Sequence, residues 1–212
     1  KRLLAYSTIA HAGYMLMAVA AMMVVLNGPS IAGAAPDRAA SAAFCVQGLL
    51  YYLAVYFFMN LGAFAIVALI RNQTFSEDIA DYAGLVKQSP LLAIAMLVCM
   101  FSLIGMPPMG GFAGKFMVFY GVVEAAQYSR TMWFVLVAGL ANTVFSLFYY
   151  VRVLRIMFIS PLPEGARPVD LTLASDAGRY VLLVSLPVLA LGIFVDPVSG
   201  IAHDVATWLF RG

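Results

Sequence analysis

The sequence is poor in charge, in histidine and in cysteine. Only 10% of its 212 residues are charged, and it has two histidines and two cysteines. Soluble domains carry about 25% charged residues, so this composition excludes an ordinary soluble globular fold. The net charge of +2 provides no basic surface of the kind that binds nucleic acid.

The two cysteines do not indicate a disulfide framework or a metal site. Cys45 and Cys99 both lie in apolar runs, which is typical of buried thiols. The sequence contains no Cys-x-x-Cys pair and no Cys/His cluster. We therefore expect no metal ligands here, and we expect any redox cofactor to belong to another chain.

Apolar residues make up most of the sequence. Hydrophobic residues account for 64% of the chain, and the mean hydropathy is +0.95. A helix that crosses a bilayer needs about 20 mainly apolar residues. Four runs reach this length and a fifth comes close to it, so we take all five as predicted spans. The sequence predicts an all-α integral membrane protein, with one membrane domain over residues 1–212. The five runs are residues 3–26, 44–70, 91–124, 132–158 and 180–195.

The tail at residues 198–210 has a different pattern. Ile201, Val205 and Leu209 recur every four residues, whereas His203 and Asp204 interrupt the apolar character. This spacing places the three apolar side chains on one face of a helix. The pattern predicts an amphipathic helix that lies at the membrane interface.

The loops between the five runs carry basic residues unequally, which predicts an orientation. Lysine and arginine concentrate in loops on the cytoplasmic side of a membrane, so we expect the N-terminus of this chain to face the cytoplasm. One side holds Lys1, Arg2, Arg71, Lys87, Arg152, Arg155, Arg167 and Arg179, and the other holds Arg38, Arg130 and Arg211.

The third run is too long for one straight helix. At 1.5 Å per residue, residues 91–124 extend about 51 Å, whereas a hydrocarbon core is roughly 30 Å thick. Its middle contains two prolines and three glycines between Gly105 and Gly111, and these residues weaken a helix. We expect a break at Gly105–Gly111. Broken helices at membrane depth mark ion sites in transporters.

Lys115 follows this break by about one turn. It is the only lysine or arginine near the centre of any of the five runs. A charged lysine at that depth costs several kcal/mol when it is unpaired, and its protonation responds to nearby charge. These properties suit a proton relay, although a lysine can also extend its ammonium group to the interface.

Two further polar positions are candidates for proton transfer. His11 lies four residues after Ser7 in the first run, and imidazole titrates near neutral pH. Its alternative role is that of a structural hydrogen-bonding group. Tyr52, Tyr56 and Asn60 form a polar stripe in the second run. The hydroxyl of Tyr56 fits either a water wire or hydrogen bonding between helices.

Four segments resemble one known family, in the same order along the chain. The antiporter-like membrane subunits of respiratory complex I, NADH:quinone oxidoreductase, contain similar segments, and the frame around Lys115 looks like that of their N type. The segments here are residues 1–14 (KRLLAYSTIAHAGY), 77–85 (EDIADYAGL), 105–116 (GMPPMGGFAGKF) and 189–197 (LALGIFVDP).

The resemblance implies a fold and a function. The five runs would be the tenth to fourteenth helices of a fourteen-helix subunit, so the sequence would be its C-terminal part. The chain would form a proton half-channel centred on Lys115, with His11 and Tyr56 as possible relay groups. Quinone reduction elsewhere in the complex would drive proton transfer through this chain. The chain would be a non-redox subunit of a translocase in the electron transport chain.

The same resemblance implies partners and a location. NADH, FMN, iron–sulfur clusters and quinone would bind to other subunits, so this chain would hold no cofactor. Its partners would be other membrane subunits and the lipid bilayer. The composition given above argues against nucleic acid as a partner. The expected location is the bacterial inner membrane. The alternative function is a subunit of a cation/proton antiporter with the same fold.

Overall fold

The computed structural model describes residues 1–29, 37–163, 165, 168–169 and 175–210. In this part of the chain the regular elements are helical, in agreement with the predicted all-α fold. A short 3-10 turn at Ile79–Tyr82 lies between the second and third helices. The α-helices are α1 (Arg2–Asn27), α2 (Arg38–Thr74), α3 (Leu85–Gln88), α4 (Pro90–Ile104), α5 (Gly110–Ala125), α6 (Thr131–Phe158), α7 (Asp176–Ile193) and α8 (Asp196–Leu209).

Four of these helices are long and apolar enough to cross a membrane. They are α1, α2, α6 and α7. The third predicted span consists of two shorter helices in succession, α4 with 15 residues and α5 with 16. Neither reaches about 30 Å alone at 1.5 Å per residue, so only the two together have the length of a spanning segment.

Helix α2 is the centre of the bundle. It packs against α1, α4, α5, α7 and α8, and its buried side chains are almost all apolar, small or aromatic. Close approach to α5 depends on glycine, because a Cβ at Gly114 would lie 2.6 Å from the Tyr52 ring. Small residues at helix contacts are typical of membrane proteins, in which packing drives association.

The outer surface of the bundle carries large apolar side chains. Phe134, Phe145 and Phe148 of α6 are 79%, 70% and 68% exposed, and Leu183 of α7 is 69% exposed. In water, a continuous apolar surface of this kind would cause association. On a chain with these long apolar helices, it is the surface that contacts lipid.

The break between α4 and α5 lies where the prolines and glycines predicted it. Helix α4 ends at Ile104, and Gly105 follows with φ 89°. A side chain is strained in this left-handed conformation, so glycine fits here. The Pro107–Pro108 bond is cis, and α5 begins at Gly110.

The end of α7 packs directly against this break. A Cβ at Gly192 would lie 1.9 Å from the carbonyl oxygen of Pro108, so only glycine allows the two backbones to meet. The hydroxyl of Tyr51, on α2, donates to the carbonyl of Leu191. Helix α7 therefore packs on the break, and α2 is bonded to α7 next to this contact.

Two predicted spans differ from the structure at both ends, since α2 also continues past residue 70 to Thr74 and α7 begins at Asp176 rather than at residue 180. The second run was placed from residue 44, but α2 begins at Arg38, because Asp37 caps it by accepting from the amides of Ala39 and Ala40. A carboxylate at this position satisfies amides that have no partner inside the helix. The fifth run was extended to residue 195, but α7 ends at Ile193.

The tail forms a helix, α8, which has a buried face in addition to the predicted apolar one. Ile201, Val205 and Leu209 are exposed, as the amphipathic pattern indicated, whereas Ala202 and Ala206 are buried. Through these small residues α8 packs against α2. Gln47 of α2 also donates to the hydroxyl of Ser199 at 2.9 Å. The position of α8 at the membrane interface stays a prediction.

Candidate functional site

Lys115 is buried beside the helix break. It lies on the second turn of α5 and is only 4% exposed. Its ammonium group donates to the carbonyl oxygens of Leu103 and Ile104, both at 2.9 Å. The side chain therefore points back to the end of α4 and does not extend to a membrane surface.

The two prolines explain why those carbonyls are available. In a continuous helix, the carbonyls of Leu103 and Ile104 would accept from the amides four residues later. Those positions are Pro107 and Pro108, which have no amide hydrogen. The break thus leaves two acceptors at the end of α4, and the ammonium group of Lys115 takes the place of the missing donors.

Two further features favour a cation at this position. The C-terminal end of a helix carries partial negative charge, and α4 ends here. The Nζ atom of Lys115 also lies 4.8 Å from the centroid of the Tyr14 ring, within the range of a cation–π contact. At the start of α5, the hydroxyl of Ser102 accepts from the amide of Gly111 at 3.0 Å, which fixes the two half-helices relative to each other.

Lys115 has no carboxylate partner in the described part of the chain. The salt bridges found there join Lys1 and Arg71 to Glu77, and Arg179 to Asp176. Backbone dipoles and a ring hold the ammonium group instead. Such partners stabilise a charge less than a full negative charge does at the same distance.

His11 is buried one helix away and has two tyrosine partners. Its Nδ1 atom lies 2.5 Å from the hydroxyl of Tyr52, and its Nε2 atom lies 3.4 Å from the hydroxyl of Tyr150. The His11 ring is 5.8 Å from the Tyr14 ring, so Tyr14 is a neighbour of both the imidazole and the ammonium group of Lys115. The structure thus brings two predicted site residues, Lys115 and His11, to one aromatic cluster.

Tyr56, the third predicted site residue, borders the same cluster. Its ring centroid is 5.2 Å from that of His11. Its hydroxyl and the Oδ1 atom of Asn60 are buried and lack a hydrogen-bond partner among the described residues. Buried polar groups of this kind are usually satisfied by internal water.

Sequence reasoning did not assign a role to Tyr150. Its hydroxyl bonds to the hydroxyl of Ser7 and is fully buried within the bundle. A signal was present, because Thr143, Ser146 and Tyr150 follow one face of α6 at helical spacing. On the same helix, Thr143 and Asn142 bond to the hydroxyl of Tyr14 at 2.8 and 3.0 Å.

At the Lys1 end of the bundle, Glu77 joins the start of α1 to the end of α2. It pairs with Lys1 at 2.5 Å and with Arg71 at 2.8 Å. The hydrogen bond from Lys1, together with the positive charges of Lys1 and Arg71, lowers the pKa of Glu77. Glu77 is therefore a fixed anion at neutral pH and suits an anchor better than a proton carrier.

Comparison with known proteins identifies the family. The family model described as "NADH:quinone oxidoreductase/Mrp antiporter, TM" matches residues 1–29 and 38–146, which is more than half of the chain. The chain belongs to this family. The matched segments contain Lys115, His11, Tyr56 and the helix break, whereas Tyr150 lies beyond them.

Curated relatives are named as subunits of quinone oxidoreductases. The chain is 40% identical over 217 residues to NADH-quinone oxidoreductase subunit N of Anaeromyxobacter sp. (strain Fw109-5), with 100% of the chain and 37% of the relative covered. It is 34% identical to NAD(P)H-quinone oxidoreductase subunit 2, chloroplastic, of Mesostigma viride, with 99% and 39% covered. The chain spans less than half the length of these relatives.

Solved structures show the same fold. A chain of respiratory complex I from Thermus thermophilus with bound NADH aligns with a TM-score of 0.71 and 22% identity, over 99% of this chain and 39% of that one. A second chain, from the same complex with bound Aureothin, aligns with a TM-score of 0.61 and 25% identity, over 91% and 45%. The bundle is thus a membrane-subunit fold of this family.

Proposed function

We propose that this chain is the C-terminal part of an N-type subunit of NADH:quinone oxidoreductase, and that it forms a proton half-channel. The observation that carries the proposal is the position of Lys115. It is buried at a helix break and bonds to two carbonyls that have no backbone amide donor. Redox chemistry would take place in other subunits. The work of this chain would be to take up and release a proton at Lys115.

The surroundings of Lys115 support a group that changes its protonation state. Burial disfavours the charged ammonium, whereas the helix end, the two carbonyls and the Tyr14 ring favour it. Because these effects oppose each other, a change in a nearby charge shifts the balance. A quinone-linked charge movement in a neighbouring subunit would provide that change.

His11 and Tyr56 extend the polar path from Lys115. The imidazole accepts and donates protons through two nitrogens, both of which face tyrosine hydroxyls. The unpartnered atoms of Tyr56 and Asn60 provide hydrogen-bonding groups for water next to the imidazole. We infer that both positions lie on the proton path, with Tyr56 as a water-binding hydroxyl.

Proton transfer is favoured over the cation/proton antiporter alternative because Lys115 already bonds to the carbonyl oxygens at the break. A monovalent cation would need free carbonyl or carboxylate oxygens there. The carbonyls of Leu103 and Ile104 already accept from Lys115. The names of the relatives also favour complex I. By the distribution of basic residues, the Lys1 side would face the cytoplasm of a bacterial inner membrane.

The proposal is tested by Lys115→Ala in the intact complex. Proton pumping and quinone reduction, both driven by NADH, are measured side by side in sealed vesicles. We expect the proton yield per NADH to fall and quinone reduction to continue, because the titrating group is lost and the redox centres are elsewhere. Lys87→Ala is the control, since Lys87 is an exposed lysine on α3. A full proton yield in Lys115→Ala would contradict the proposed function.

A further inference from the structure

Helix α8 continues the path of α7 along α2. Near the end of α7, the carbonyl of Leu191 accepts from the hydroxyl of Tyr51 on α2. In the first turn of α8, the hydroxyl of Ser199 accepts at 2.9 Å from Gln47, which is one turn away from Tyr51 on α2. The buried alanines of α8 complete this contact. The two helices therefore run one after the other beside α2, toward the end of α2 that carries Arg38.

This part of α2 lies at membrane depth. Helix α1 is mainly apolar from Leu3 to Leu26 and extends about 36 Å over these residues, so a hydrocarbon core of roughly 30 Å reaches close to both ends of it. Arg38 donates to the carbonyl of Leu26 at 3.3 Å, so Arg38 lies near the boundary of the core. Gln47 is about 14 Å further along α2, and its contact with Ser199 is therefore inside the core.

The length of α7 agrees with this depth. Helix α7 has 18 residues, or about 27 Å, and it ends beside the break of the third span, where Gly192 meets Pro108. Helix α8 has 14 residues, or about 21 Å, and it continues from that level toward Arg38. A helix that lay on the interface would cross the end of α2 and would not run beside it.

One face of α8 carries polar groups that are exposed on this chain. Asp196, Gly200 and Asp204 recur every four residues and so share a face of the helix. His203 adjoins them, and all four residues, which form the polar face of α8, are exposed. A Cβ at Gly200 would have no neighbouring atom within 4 Å. The ion pairs found among the described residues include neither carboxylate.

Lipid does not suit the polar face of α8. A carboxylate at membrane depth is costly unless it is paired, and Asp196 lies deeper than Ser199. A break in the backbone at that depth is tolerated only against protein or water. The other exposed face of α8 differs, because Ile201 and Val205 are 66% and 51% exposed and continue the apolar surface of the bundle.

We propose that α8 is the second half of a discontinuous fifth span, and that its polar face docks a transmembrane helix of the complex outside this chain. The open space at Gly200 allows two helices to approach closely. The two carboxylates suit a partner helix with basic or hydrogen-bond-donating side chains. This position differs from the interfacial one that the sequence pattern of α8 predicts. The proposal rests on the membership of a complex proposed above, but not on proton transfer at Lys115.

The partner is identified by photocrosslinking in the intact complex. A photoreactive phenylalanine analogue is incorporated at His203 on the polar face or, as the matched control, at Val205 on the apolar face of the same helix. We expect the probe at His203 to crosslink to a transmembrane helix outside this chain, identified by mass spectrometry, and the probe at Val205 to crosslink to lipid. Crosslinking of the His203 probe to lipid alone would overturn the docking proposal.

The depth of α8 is tested by labelling Gly200→Cys with a charged thiol reagent in vesicles of both orientations. The natural cysteines, Cys45 and Cys99, are buried, so the unaltered chain measures the background, and Lys87→Cys is the exposed positive control. We expect no labelling of Gly200→Cys in the membrane-embedded complex and full labelling after the complex is dissociated in detergent. Labelling in the intact vesicles would show that water and not a helix covers this face, and would overturn the proposal.

The role of the deeper carboxylate is tested by Asp196→Asn, which removes the charge and keeps the shape. We expect the fraction of this subunit that remains in the complex in mild detergent to fall severalfold, and Asp196→Glu to retain it. Asp176→Asn is the matched control, since Asp176 is also an acidic residue in the first turn of a helix. Unchanged association in Asp196→Asn would contradict pairing across the polar face, and it would leave the pumping result for Lys115→Ala unaffected.

Discussion

The ammonium group of Lys115 bonds to backbone carbonyls and lies near a ring, without a carboxylate among the described residues. This choice of partners affects how easily a proton leaves. A carboxylate in contact would hold the charged form strongly inside a protein. Neutral dipoles hold it more weakly, so the ammonium remains responsive to charge elsewhere.

Glu77 illustrates the opposite case, a carboxylate fixed in its charged form by two cations. Its pKa is lowered, first by the hydrogen bond from Lys1. A lowered pKa means that the ion pairs contribute stability above the usual glutamate value of about 4.3. That contribution is lost as the pH falls through the lowered pKa of the folded protein.

We therefore expect Glu77→Gln to lower the melting temperature of the detergent-solubilised protein near neutral pH. The difference from the unaltered protein should shrink in acid, where Glu77 is protonated in both the folded and the unfolded protein. Because Glu77 is partly exposed, the effect should be small and should weaken with added salt. An equal decrease in melting temperature at acidic and neutral pH would show that loss of the ion pairs is not its cause.

At the scale of the helices, the break in the third span supplies the acceptors for Lys115. Replacing both Pro107 and Pro108 by alanine returns two amide donors to the positions that face Leu103 and Ile104. We expect the restored amides to compete with Lys115 for these carbonyls. The subunit should still assemble, whereas the proton yield per NADH in vesicles should fall.

Pro90→Ala is the control for this pair. Pro90 occupies the first turn of α4. An amide at that position has no partner inside the helix, so replacing Pro90 by alanine changes no internal hydrogen bond. A full proton yield in the double alanine variant, combined with a continuous helix through residues 90–125, would contradict a role for the break.

Much of this arrangement of helices follows from the sequence. Length, hydropathy and the Pro/Gly cluster between Gly105 and Gly111 predict where the spans lie and where the third one breaks. The start of α2 was missed, because residues 38–43 are short in large apolar side chains and the cap by Asp37 requires knowledge of the backbone. The buried face of α8 was also missed, since alanines carry little hydropathy signal.

The site is only partly predictable, because its groups come from different helices. Lys115 and His11 stand out as polar groups in apolar runs. Tyr150 does not, since a tyrosine near a helix end is typical of a membrane interface. Its place in the site depends on the contact with Ser7, which lies 143 residues away in the chain, and no local pattern encodes that distance.

At the scale of the whole molecule, orientation decides which compartment each end of the bundle faces. The distribution of basic residues predicts that the loops at residues 71–89 and 160–178 face the cytoplasm. Arg167 and Arg211, which contribute to that count, lie outside the described residues. Single cysteines introduced in both loops should react with a membrane-impermeant reagent in inverted vesicles and not in intact cells. Labelling in intact cells would reverse the orientation.

The central claim is that Lys115 works by releasing its proton and not merely by carrying a charge. Lys115→Arg separates these two roles, because a guanidinium group stays protonated, with a pKa above about 12. The decisive measurement is the proton yield per NADH of Lys115→Arg in sealed vesicles of the intact complex, with quinone reduction assayed beside it. The account predicts a loss nearly as large as that of Lys115→Ala, and a full yield in Lys115→Arg would contradict it.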